Sequence, residues 1–350
     1  MAYSAISKPS LHFNTKLTTG TGNSQAVTGV GFQPDWIWGK RRDSSGNNSL
    51  FDAVRGITKG IESNSNGAEF TSTDYYSSFD SDGFTIAAGS GGAGNGNSQT
   101  AVQWCWKGNG AGSTNTDGSL NSTVSVNTAA GFSIVKWDTN GSAHTVGHGL
   151  GTAPNVIFAK PLHEVNNWMV YHDSLTDAKD KYMVLDGNNA VQDYHIWNDT
   201  APTSSVFSWG AWSGNDNGGR VVAYCFTEKK GYSKFGSYNG NGNANGTFVY
   251  TGFSPAWVLV KRSDAAESWF LYDNKRNAHT GNDRYYVLRP NTNSAENTTY
   301  SDNWQMDFLS NGFKLRTSAG HLNSGNLIYM AFAEEPLVAN VGQSIPATAR

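Results

Sequence analysis

Trp36-Ile-Trp-Gly-Lys40 is a short apolar run closed by a lysine. It returns as Val156-Ile-Phe-Ala-Lys160 and again as Trp257-Val-Leu-Val-Lys261. Each copy follows a glycine and a proline: Gly31 and Pro34, Gly151 and Pro154, Gly252 and Pro255. The lysines stand 120 and 101 positions apart, so the chain reads as three diverged copies of one module. A residue type kept in all three copies is expected to serve the fold. Only departures from the repeat are free for a special task.

The composition sets the fold class. Of 350 residues 40 are glycine, 13% are aromatic and 15% are charged. Runs of Leu, Ala, Glu and Lys are scarce, whereas Thr, Val, Tyr, Trp, Asn and Gly dominate, which is the profile of short strands joined by tight turns. The aromatic content lets the chain bury enough apolar surface to offset its ordering entropy, so disorder is not expected. A net charge of −3 without a Lys/Arg stripe leaves no electrostatic footprint for nucleic acid. No stretch has the length of a membrane-spanning helix. The start, Met1-Ala-Tyr-Ser-Ala-Ile-Ser-Lys-Pro-Ser10, lacks the basic and apolar regions of a signal peptide. Work outside a cell would then require lysis or carriage within an assembled particle.

Each copy opens on an aromatic residue, Phe13, Phe132 or Phe235. A Gly/Asn turn follows, within Thr19–Asn23, Asp138–Gly141 and Asn239–Asn243. Such turns supply the positive φ of two-residue hairpins, so the start reads as a β-hairpin. After the lysine strand comes a charged turn, Arg41-Arg42-Asp43 or Arg262-Ser-Asp264. A second strand then runs through Leu50-Phe-Asp52, Trp168-Met-Val-Tyr-His-Asp173 and Trp269-Phe-Leu-Tyr-Asp273. The module closes on Ala101-Val-Gln-Trp-Cys-Trp106, Val221-Val-Ala-Tyr-Cys-Phe226 and Leu327-Ile-Tyr-Met-Ala-Phe332. This closing strand is apolar on both faces, which places it in the middle of a sandwich or at a subunit interface. Cys105 and Cys225 fall at one position of it and Ala331 at the third, so a reduced, buried, structural role is expected and no disulfide.

The expected architecture is therefore all-β, with sandwich modules at 12–107, 131–230 and 231–336. An N-terminal arm (1–11), a flexible Gly/Asn/Ser/Thr-rich linker (108–130) and a C-terminal arm able to dock on a neighbour (337–350) complete it.

Several further pieces carry a resemblance: His12-Phe-Asn-Thr15, Gly29-Val-Gly-Phe-Gln-Pro-Asp-Trp36, Lys40-x-Arg42, Trp104-Cys-Trp-Lys107 and Pro346-Ala-Thr-Ala-Arg350. Together the module resembles a repeat of structural proteins in marine tailed bacteriophages, over nearly the whole chain and least in copy two. The resemblance implies jelly-roll sandwiches of the concanavalin or SPRY type, in virion proteins such as tail fibres and surface decorations. A fold shared with lectins is an analogy for sugar binding and no more.

The candidate ligand-binding residues come in pairs related by the repeat. Asn64, Asn66 and Glu69 match Asn291, Asn293 and Glu296, with a remnant around Asn188-Asn189-Ala190 in copy two. They suit a sugar or an ion, but asparagines also cap turns. Asp52 with Arg55 and Asp273 with Arg276 share a three-residue offset, against Asp173 and Thr176 in copy two. An Arg fork recognises carboxylates, and the same pair on a strand edge serves structure. Trp36, Trp38 and Trp257 would stack on sugars if exposed, but repetition in one register points to core. Asp80-Ser-Asp82-Gly83 reads as a turn, because a calcium loop's remaining ligands are missing. His144 and His148 lack a third ligand. No catalytic motif, metal site or cofactor fingerprint is found.

The functional expectation is a non-enzymatic virion structural protein displayed on the particle surface. It would be a tail-fibre or receptor-binding component for host attachment, or alternatively a capsid decoration or head fibre. A polysaccharide depolymerase is the enzyme alternative. Expected partners are other virion proteins, further copies of the chain (a homotrimer for a fibre) and a host surface glycan, with neither nucleic acid nor membrane. Three modules could also close into a pseudo-threefold assembly within one chain.

Overall fold

The computed structural model describes residues 4–89, 92–276 and 281–336. Among these described residues it is all-β, with one four-residue α-helix, Gly320–Asn323, and no helix long and apolar enough to cross a membrane. Each copy holds a large antiparallel sheet with the closing strand in its interior: Thr100–Trp106, Arg220–Phe226 or Ser324–Pro336. On one side lies the opening strand, Phe13–Thr19, Phe132–Asp138 or Ser233–Asn241. On the other lies the lysine strand, Trp36–Arg41, Val156–Pro161 or Phe253–Arg262. Beyond that comes the acidic strand, Asn48–Asp52, Met169–His172 or Trp269–Asp273. A smaller sheet packs on one face of each large one, as Gln25–Val27, Gly83–Ile86 and Tyr76–Asp80 do in copy one.

Both faces of the closing strand are apolar because both are covered. Cys105 faces Ile37, Phe51 and Phe84 inside copy one; Cys225 faces Ile157 and Trp209; Ala331 faces Val258 and Phe313. The alternate residues, Trp104 and Trp106, Tyr224 and Phe226, Met330 and Phe332, join one cluster shared by all three copies. Trp106 lies at its centre, with ring centroids 4.4 Å from Trp36, 5.8 Å from Trp257, 5.7 Å from Phe332 and 6.5 Å from Phe226. The interface that the doubly apolar strand calls for is thus found within the chain. Edge-to-face pairs of this kind add about 0.5–1.5 kcal/mol each beyond simple area burial.

Several readings of the sequence are corrected. The Gly/Asn turns do not close hairpins: Phe13–Thr19 pairs with Thr100–Trp106, whereas Gln25–Val27 pairs with Gly83–Ile86 in the other sheet. Copies two and three repeat this switch between sheets. Phe235 is not the equivalent of Phe13 and Phe132. Strand register gives that place to Ser233, opposite Phe332, as Phe13 is opposite Trp106 and Phe132 opposite Phe226. Nor is the linker without structure. Ser113–Asn115 and Ser122–Asn127 form strands that extend the large sheet of copy two. In the N-terminal arm, Ile6 is buried in the shared cluster and the Ala5 N–H donates to Lys230 O. The C-terminal arm lies outside the described residues.

Candidate functional site

The last residues of the acidic strands lie where one copy meets the next. Trp36 is opposite Asp52, Val156 opposite His172 and Trp257 opposite Asp273, so the copy-two counterpart is His172 rather than Asp173. Three residues on, Arg55 and Arg276 therefore match Leu175, not Thr176. The third member follows from the backbone. Glu69 N–H donates to Leu162 O, Glu296 N–H to Arg42 O and Val191 N–H to Ser263 O, each into the neighbouring copy.

In copy one, Arg55 Nε meets Asp52 Oδ2 at 2.5 Å and Nη1 meets Glu69 Oε1 at 3.3 Å, with side chains at most 5% exposed. Tyr224 of copy two donates its hydroxyl to Asp52 Oδ2 at 2.8 Å. In copy three, Arg276 Nε meets Asp273 Oδ2 at 2.5 Å and Nη1 meets Glu296 Oε1 at 2.6 Å. Here the neighbour's donor is Trp104 Nε1, 2.9 Å from Asp273 Oδ2, and Arg42 of copy one also reaches Glu296 at 2.8 Å. Burial alone would raise the Asp273 carboxyl, but the Arg276 guanidinium and the Trp104 indole N–H hold it below its ordinary range. Copy two replaces the set as a whole. His172 contacts Tyr329 O of copy three through Nε2 at 3.2 Å, and Leu175 and Val191 pack against the shared cluster. In copy one the pair sits inside the sheet and not on a strand edge, the acidic strand lying between the lysine strand and a further one, whereas in copy three Trp269–Asp273 is the outer strand of its sheet.

The asparagines act both within a copy and across the joints. Asn64 Oδ1 accepts the Asn48 N–H at 2.6 Å and Asn291 Oδ1 the Trp269 N–H at 3.1 Å; Asp186 does this for Trp168 at 2.8 Å. Asn66, Asn188 and Asn293 offer their backbone carbonyls to the repeated lysines. Lys160 reaches Asn66 O at 3.2 Å, Lys261 reaches Asn188 O at 3.5 Å and Lys40 reaches Asn293 O at 3.2 Å. A third contact repeats: Trp168 Nε1 donates to Glu62 O, Trp269 Nε1 to Val184 O and Asn48 Nδ2 to Arg289 O. The contacts close a ring in which copy one meets two, two meets three and three meets one.

Eight of the ten candidate residues thus collect at two joints between copies, Asp52, Arg55, Asn66 and Glu69 at one and Asp273, Arg276, Asn293 and Glu296 at the other, whereas Asn64 and Asn291 bond within their own copies to Asn48 and Trp269. All-or-none replacement in copy two marks the ion triads as cement: three charges are lost together because any one left alone would be buried uncompensated. Trp36, Trp38 and Trp257 are core, at most 1% exposed. Asp82 caps a turn by accepting the Gly29 and Gly31 N–H groups, and His144 accepts the Trp137 indole N–H. Cys105 and Cys225 lie in separate cores, where burial pushes both thiols up. The sequence reading missed one group, His163, Glu164 and Asp216, whose ligand atoms lie within 4.8 Å of one another. Asp216 is 61% exposed there, and such surface clusters need no ion. No short sequence spacing signals this group, because strand pairing brings its parts together.

Residues 8–336 match the family model described as "Domain of unknown function (DUF7483)", and the chain belongs to that family. No curated protein and no solved structure matches it.

Proposed function

We propose that this chain is a non-enzymatic structural protein of a bacteriophage virion, displayed on the particle surface. The observation that carries the reading is the closed ring of copies, in which the repeat's charged and amide side chains hold the joints instead of lining a cleft. A body built this way suits load-bearing and display.

The same ring favours capsid decoration or a head fibre over a homotrimeric tail fibre. In a fibre three chains would meet on a common axis, but here the axis is already filled by Trp106, Phe226 and Phe332 of one chain. Decoration needs broad, mostly polar contact area spread over the shell. Host attachment is the second reading. It draws on exposed aromatic rings in copy three, Tyr250 at 58% and Tyr300 at 62%, which suit stacking on a glycan.

Imaging intact particles with the protein labelled tests both. Density on capsid faces or vertices supports decoration, and density on the tail supports attachment. Absence from purified particles, or release of reducing sugar from host polysaccharide by the pure protein, would overturn the proposal.

A further inference from the structure

The copies differ at the outer edge of the opening strand. His12 and Lys107 form a backbone-bonded pair through Lys107 N–H and His12 O. By antiparallel alternation, the N–H and C=O groups of Phe13, Thr15, Leu17 and Thr19 then point away from the closing strand. Copy two fills the same edge with Ser122–Asn127, which pairs along Phe132–Trp137. That added strand also reaches copy one, its Asn127 Nδ2 donating to Lys107 O at 3.1 Å. Copy three blocks the edge with its own turn. Glu228 Oε1 accepts the outward Phe235 N–H at 2.8 Å, and Lys229 bridges to Ser233.

In copy one, among the described residues, no strand pairs with this edge. A groove of about 220 Å³ runs beside it, with Phe13 and Thr15 on one wall and Ala256, Asn274, Ala333 and Glu334 on the other. Register makes Ala256 and Ala333 the counterparts of Asp35 and Lys107, beside which the added strand of copy two lies. Two buried polar atoms in the groove, Thr15 Oγ1 and Asn274 Oδ1, have no hydrogen-bond partner. The Thr15 N–H is turned onto its neighbour's Asn14 Oδ1, whereas the other outward amides of the strand carry no such cap.

We propose that this groove receives an extended strand from another polypeptide, added to the opening strand of copy one as Ser122–Asn127 is added to that of copy two. The groove sets the strand's chemistry. Residues entering it are small and at least one donates a hydrogen bond, to Asn274 Oδ1 or Thr15 Oγ1. The acidic end of the groove is met from within the chain, Lys275 Nζ standing 3.2 Å from Glu334 Oε1, so no charge is required of the strand. The site does not rest on the virion reading.

The probe is a fluorescent peptide with the sequence of residues 119–130, added to the full-length chain. Saturable binding and slowed hydrogen exchange at Leu17 and Thr19 are expected, with neither for a scrambled peptide. Leu17→Pro removes one outward N–H and leaves the pairing with the closing strand intact, so binding falls at least tenfold with an unchanged melting temperature. Should that variant misfold, Asn274→Ala reads the opposite wall and weakens binding. Unaltered exchange at residues 13–19, or full binding by both variants, would overturn the proposal. So would binding that appears only after removal of residues 337–350, since the occupant would then be the chain's own tail.

Discussion

At the scale of the residue, the buried triads are where single changes matter most. Arg276→Leu leaves Asp273 as an uncompensated buried charge and Glu296 with Arg42 as its one remaining ion partner, and a loss of about 3–5 kcal/mol is expected. Installing the copy-two set, Asp273→His, Arg276→Leu and Glu296→Val together, should cost less than that single change. Denaturant unfolding of both variants checks the order; a triple variant weaker than the single one would sink the cement argument. Because Asp273 is held below its ordinary range, its contribution is present above the unfolded pKa and is lost as pH falls through the folded one. The repeated lysines act in the opposite pH range. Burial brings Lys40, Lys160 and Lys261 from 10.5 down to about 8. Between those values the unfolded chain holds more protons, so their cost, full below pH 8, is relieved as pH rises. The cysteines and tyrosines oppose this trend at higher pH, so the test is a difference. Lys160→Met should remove up to about 1.4 kcal/mol per pH unit from the slope of stability between pH 8 and 9.5.

At the scale of the element, the turn Ser81-Asp-Gly-Phe84 shows why a short signal suffices in some places. Gly83 has φ +155°, and a Cβ there would stand 1.9 Å from Val27 O, which is backbone and cannot move aside. Gly312, in the matching turn Ser310-Asn-Gly-Phe313 of copy three, would meet Val249 O at 2.0 Å. Gly83→Ala is expected to destabilise by at least about 1 kcal/mol, read from the thermal midpoint, with Gly56→Ala, whose Cβ position is open and which is strained through its φ of +98° alone, as the milder comparison. The linker shows the reverse. Its Gly/Asn/Ser/Thr composition reads as flexible, yet Val124 is buried at 5% exposure and its strand is paired on both sides. Limited proteolysis of the native chain should therefore leave 113–127 uncut until global unfolding; rapid cleavage there would contradict the pairing.

For the whole molecule, the shared aromatic cluster makes the copies interdependent. Trp106→Ala opens a large cavity among residues of all three, and a cost of about 3–5 kcal/mol is expected. Hydrogen exchange should report that loss in copies two and three as well as in copy one. Faster exchange confined to residues 12–107 would mean that the copies are energetically separate.

The repeat, the all-β class and the core positions of the cysteines and tryptophans were legible in the chain, because each recurs at one register and strand alternation is a local property. The matched Asp–Arg and Asn–Glu pairs were legible as pairs. Their purpose was not, since Asp52 and Tyr224 or Asp273 and Trp104 are more than 160 positions apart and meet only when the ring closes. The same distance hid the register: Asp173 looks like the match for Asp273 until pairing with Val156 puts His172 there. Sequence alone settled that the closing strand needs apolar partners on both faces. Only the tertiary structure decided that those partners are its own repeats, because burying a second apolar face depends on which surfaces of the same chain can reach it.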